Sequence, residues 1–108
     1  MPLNQKAIKA AIAGHKNLQQ VIIESGQECI SQSFSFNDFA QTIAFVNTVA
    51  ELAEVKQHHP RFIINWNHVE LLWWTHDTAQ ITELDLALAK LAEQTYQKYP
   101  QNEKPHRR

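Results

Sequence analysis

The sequence predicts an α+β fold: a four-stranded antiparallel sheet with helices packed on one face, in the order α-β-β-α-β-β-α. Three observations predict it. Three stretches carry apolar residues at helical spacing, two pairs of alternating stretches lie between them, and each pair is joined by a connection short enough for a hairpin. A chain of 108 residues suits one domain, expected over residues 1–99, with a polar tail over 100–108.

Leu3, Ala7, Ile8, Ala11 and Ile12 place a first helix over 3–13, with Gly14 as its stop. Leu18 to Glu24, with Val21, Ile22 and Ile23, reads as a strand, and Ser25 and Gly26 as a turn. Glu28 to Phe36 alternates: Ile30, Gln32, Phe34 and Phe36 on one face, Cys29, Ser31, Ser33 and Ser35 on the other. Gln32 is the odd residue on its apolar face. Asn37 and Asp38 offer an N-cap to a helix from Phe39 to about Lys56, roughly 27 Å long. Phe39, Ile43, Val46, Ala50 and Ala53 form one stripe on it, and Phe45, Val49 and Leu52 a second. Together they exceed the ~100° face that one sheet covers, so the surplus is expected at a subunit contact.

Pro60 cannot continue that helix and holds His59 extended. Arg61 to Trp66 and Val69 to His76 then pair across a turn at Asn67 and His68. The second of these strands is apolar on both faces, which suits a central strand or one facing another subunit. After a loop from Asp77 to Gln80, Thr82 caps the last helix with Asp85 three residues on, and Ile81 and Leu86 form a hydrophobic staple. Leu84, Ala87, Leu88 and Leu91 are its expected buried stripe.

Composition narrows the function. With 44% hydrophobic and 19% charged residues the chain is ordinarily globular. A net charge of −1 and a pI near 6.6 give no basic field for nucleic acid or anionic lipid. The apolar run after Lys9 is too short for a secretory segment, and no stretch has the ~20 apolar residues of a membrane span. A cytoplasmic location is expected. Cys29 is the only cysteine, which excludes an intrachain disulfide and a multi-cysteine zinc site. It has no base beside it and reads as a structural thiol. Two distant glycines cannot build a phosphate loop.

Six histidines remain to be sorted. His15, His68 and His106 read as solvated. Glu54 and His58, four apart, would share a helix face, where the carboxylate and the helix C-terminus both favour imidazolium and suit a general acid. His76, at a strand end, meets His58 only if that strand ends beside the long helix. The plain alternative is that His58 and His59 merely terminate a helix. A metal site would want histidines at i, i+4 on a helix or i, i+2 on a strand, and neighbouring histidines before a proline point apart instead. Trp73 and Trp74 read as core. Trp66 offers a flat heterocycle a surface to lie against.

Glu54, His58, His59 and Pro60, then Trp66, Asn67 and Val69, then Leu72, Thr75 and His76, then Ile81, Thr82 and Asp85 stand in an order that resembles the pterin-4a-carbinolamine dehydratases. Ile30, Phe34, Phe36, Asp38 and Phe39 fit as well, and the resemblance covers about residues 18–97. It implies dehydration of a 4a-hydroxytetrahydropterin to quinonoid dihydropterin in tetrahydrobiopterin recycling, with no metal or organic cofactor. It implies a homodimer or homotetramer. His58 and His76 match the family's acid/base histidines and His59 the one that orients substrate. Glu54 would tune His58, Asp85 matches the acidic position, and Pro60 with Thr75, Asp77 and Thr78 would complete the pocket wall. The chain departs at Gln32, where members often have arginine, and at Gln80, where many have glycine. Two rival functions are a non-enzymatic regulatory partner on this scaffold and a metal-dependent hydrolase.

Overall fold

The computed structural model describes residues 2–99, so the tail expected over 100–108, with His106, lies outside the described residues. The elements are α1 (Gln5–Ile12), β1 (Gln19–Ile22), β2 (Glu28–Ser35), α2 (Phe39–Lys56), β3 (Arg61–Asn65), β4 (His68–Trp73) and α3 (Glu83–Tyr96). The order is the expected one. All strand pairs are antiparallel and the sheet runs β1-β2-β4-β3. β4 is therefore central, which explains why it is apolar on both sides.

Register assigns the faces. Ile30 opposite Trp73, Gln32 opposite Leu71 and Phe34 opposite Val69 put one set of side chains toward the helices. They bury against Ile8 of α1, Phe45 and Val49 of α2, and Leu88, Ala89 and Ala92 of α3. Phe34, Phe36, Phe45 and Tyr96 pack ring to ring at 4.8–6.0 Å, tilted or edge-on, as ring quadrupoles prefer. Gln32 belongs inside because its amide is fully used. Its Nε2 donates to Ala89 O at 3.1 Å and Glu93 Oε2 at 3.0 Å, and its Oε1 accepts from Trp73 Nε1 at 2.8 Å.

Three local readings shift. The core line of α2 is Thr42, Phe45, Val49 and Ala53, which cuts across the two expected stripes and leaves Phe39 half exposed. In α3, Leu84 and Ala87 are exposed, and the buried set is Asp85, Leu86, Leu88, Ala89, Ala92 and Thr95. Asp85 has partners inside the protein, and meeting them rotates the helix away from its leucine stripe. The β3–β4 turn is Trp66 and Asn67, one residue earlier than expected, with Asn65 opposite His68 and Trp66 at φ +57°. The C-terminus of α2, the start of β3, the end of β4 and the start of α3 gather at one end of the sheet, opposite that turn.

Candidate active site

Asp38 starts α2 by accepting Gln41 N–H at 2.8 Å, and Gln57 ends it in a left-handed conformation, φ +52°. The reversal lets His58 N–H donate to Ala53 O at 3.0 Å and turns the imidazole inward, where it is 7% exposed. There His58 Nε2 meets Asp85 Oδ1 at 2.5 Å. The other carboxylate oxygen, Oδ2, accepts from Thr75 Oγ1 at 2.9 Å and from Thr82 N–H at 2.8 Å. Asp85 thus closes the first turn of α3 and, with the same side chain, clamps the histidine just past the end of α2.

This corrects the expected pairing of Glu54 with His58. An i, i+4 contact needs the helix to continue through His58, and the left-handed residue before it breaks that geometry. Glu54 bonds His59 instead, Nε2 to Oε1 at 2.6 Å, in an exposed pair. With Nε2 engaged by Asp85, Nδ1 is the His58 nitrogen left for proton exchange. Among the described residues Nδ1 makes no hydrogen bond, and no unpartnered buried side-chain nitrogen or oxygen is present. That nitrogen therefore keeps contact with solvent.

β4 delivers the third histidine. Past Trp73 the chain makes a small bridge, Thr75 N–H to Gln80 O at 2.8 Å, and the intervening loop carries His76 and Asp77. Ala79, at φ +56°, is the left-handed residue there, while Gln80 is extended in the bridge. The departure from glycine at Gln80 is thus absorbed without strain at that residue, and the strain sits one position earlier.

Gln57, His58, His59, Thr75, His76 and Asp77 line one cleft of about 260 Å³. Five of these were expected from the sequence, and the structure brings them together. Glu54 stands behind His59 at the rim, and Asp85 stands behind His58. Pro60 is half-buried and Thr78 exposed, and neither lines the cleft. Trp66 is a correction: at the hairpin tip it lies about 17 Å of strand away, with no part in this cleft. The reading of Trp74 as core is a second correction. Trp73 is buried, but Trp74 is only half-buried on the opposite face, stacked on His76 with centroids 4.6 Å apart. Gln57 was missed, since nothing in the sequence marks a C-cap without glycine or asparagine.

A larger cleft of about 450 Å³ beside α1 holds no histidine, and its carboxylate, Glu28, already accepts from Gln5 and Gln20. Among the described residues no three His, Cys, Asp or Glu side chains are grouped to hold a metal, and no helix is long and apolar enough to cross a membrane. The histidine cleft can give and take protons, with a buried carboxylate to hold one imidazole in place.

Comparison with known proteins bears on what that chemistry serves. A family model described as Pterin 4 alpha carbinolamine dehydratase matches residues 1–95. A protein of Chlorobium limicola named as a pterin-4-alpha-carbinolamine dehydratase is 40% identical over 70 residues, 65% of this chain and 62% of the relative. One of Thermomicrobium roseum with the same name is 49% identical over 67 residues, 61% of this chain and 72% of the relative. The match thus spans under two thirds of the Chlorobium protein's length. A crystal structure of a transcriptional coactivator/pterin dehydratase from Brucella melitensis superposes with TM-score 0.80 at 29% identity, over 89% of this chain and 99% of that one. A pterin dehydratase-like protein described as a RuBisCO assembly factor in the alpha-carboxysome shares the fold, with TM-score 0.63 at 20% identity over 76% of this chain and 92% of that one.

Proposed function

Since the chain belongs to the pterin 4 alpha carbinolamine dehydratase family, we propose that it removes water from a 4a-hydroxytetrahydropterin to give quinonoid dihydropterin. The convergence of His58, His59 and His76 on one cleft, with Asp85 buried behind His58, carries this reading. In the reaction the C4a–O bond breaks. An acid protonates the departing hydroxyl, and a base takes one proton from the pterin ring, so one water leaves and charge is unchanged. His58 and His76 are the acid/base pair. His59, held by Glu54 at the cleft mouth, orients the substrate, and Thr75 and Asp77 form part of the wall with Pro60 and Thr78 flanking it.

The asymmetry of the two histidines supports their pairing. Asp85 fixes the orientation of the His58 ring, the role a buried carboxylate plays for a working imidazole. His76 is exposed and free to exchange protons with water. The wider biological reading, tetrahydrobiopterin recycling in the cytoplasm by a homodimer or homotetramer without metal or organic cofactor, rests on the same family membership.

The test follows dehydration of enzymatically generated 4a-hydroxytetrahydropterin by wild type, His58→Ala and His76→Ala. Each variant is expected to lose about 10²–10⁴-fold in kcat. Unchanged rates in both would overturn the assigned roles. A second reading, a non-enzymatic partner of other proteins, is favoured by the description of the Brucella protein as a transcriptional coactivator and of the carboxysome protein as an assembly factor. A wild type no faster than buffer would decide for it.

A further inference from the structure

The three histidines of the cleft are held in three ways. Asp85 clamps His58 and Glu54 bonds His59. His76 is exposed and has neither hydrogen bond nor ion pair to any described residue. Among the described residues its one partner is aromatic: the Trp74 indole, with ring centroids 4.6 Å apart and planes 16° from parallel. We propose that Trp74 is the positioning residue for His76, its indole fixing the plane of an imidazole that no other described residue orients.

The argument begins from strand geometry. Residues two apart on an extended chain leave the same face of the sheet, about 7 Å apart along it, and two flat rings span that distance by lying against each other. An exposed imidazole without such a neighbour moves among its rotamers on the picosecond-to-nanosecond scale. Proton transfer needs the ring nitrogen within hydrogen-bond reach of its target, so time spent in other rotamers is lost to turnover.

The indole is itself secured. The Arg61 guanidinium lies over it, 5.6 Å from the ring centroid, an attractive placement for a cation on an indole face. Glu24 in turn holds Arg61, with Nη1 donating to the two carboxylate oxygens at 3.1 and 3.4 Å. Arg61 begins β3 opposite Leu72 of β4, so the ladder Glu24, Arg61, Trp74, His76 crosses the face of the sheet that the helices leave open. None of these residues but His76 lines the cleft. Their effect on chemistry passes through the His76 ring.

This inference rests on the dehydratase reading, and its test separates the two. Wild type, Trp74→Leu and Trp74→Phe are compared by steady-state kinetics and by NMR of the histidine ring protons, with His76→Gln to assign the His76 resonances. The stacked indole is expected to shift the His76 ring protons upfield of those of exposed His15. Trp74→Leu is expected to abolish that shift and lower kcat about three- to tenfold with little change in KM. Trp74→Phe, which keeps an aromatic face, is expected to retain most of both. His76 resonances and kcat that are indifferent to Trp74→Leu overturn the proposal. So does a Trp74→Phe variant that folds yet is as impaired as Trp74→Leu. The resonance measurement needs no turnover, so an inactive wild type would overturn the dehydratase reading alone.

Discussion

Asp85 has no exposed surface, yet both its oxygens are occupied, Oδ1 by His58 and Oδ2 by Thr75 and the Thr82 N–H. An amide in its place would turn an NH₂ toward groups that are themselves donors. Asp85→Asn is expected to lower kcat by about 10²-fold and to cost about 1–3 kcal/mol of stability, read from initial rates and thermal melts. A variant matching wild type in both would remove Asp85 from the site. Cys29 is the opposite case, a buried group that does not line the cleft. Burial above all pushes its thiol up to about 11, with Arg61 pulling it down and Asp85 and Glu24 pushing it up by less. The native protein therefore keeps a proton that the unfolded chain releases near pH 9.0. The stability tied to this group is whole below that pH and is lost as pH rises through about 11. The native thiol is expected to resist alkylation at about pH 8, where an ordinary exposed cysteine reacts. Wild type is also expected to lose stability more steeply than Cys29→Ala across the alkaline range. Rapid labelling of the folded protein would contradict this. At this scale the histidines of the cleft were legible from residue order, whereas the carboxylate bonded to His58 was assigned to Glu54 because local spacing knows nothing of a partner in another helix.

Among the elements, β4 contributes most to the site, sending Trp73 to the core, Trp74 to the open face and His76 to the cleft. Alternation alone gave two faces to this strand, but which residues on them meet the histidines depends on what packs there. The loop beyond it carries a correctable strain. Ala79 holds φ +56°, a conformation that costs a residue with a Cβ roughly 1–2 kcal/mol, part of which glycine returns as unfolded-state entropy. Ala79→Gly is expected to raise stability by up to about 1 kcal/mol, seen as an upward shift of the melting temperature, and to leave Gln27 Nε2 bonded to the backbone carbonyl at 79. A lower melting temperature would show that the strain is not at this residue. α3 is the element the sequence read least well. Its leucine spacing favoured Leu84 and Ala87, but the demand of Asp85 for His58 and Thr82 sets the helix's rotation.

For the whole molecule, the apolar residues left outside the core set the expectation. Val55 is 79% exposed and Phe39 50% on α2, and Ile63 and Ile64 are 44% and 41% exposed on the edge strand β3. An edge strand with unpaired backbone and apolar side chains is a surface that soluble chains ordinarily cover. Sedimentation is expected to give a multiple of 12.5 kDa at micromolar concentration. A stable species of 12.5 kDa would contradict that.

Sequence by itself determined the element order, the antiparallel pairing within each hairpin and the set of histidines, because these depend on spacing, turn chemistry and caps within a few residues. Tertiary structure decided that His58 takes Asp85, 27 positions away, that Trp74 faces His76 outside the core, and that Trp66 stands far from the cleft. Those outcomes depend on how α3 docks on the sheet and how α2 ends. Both are settled by the summed packing of distant side chains, which no local pattern records.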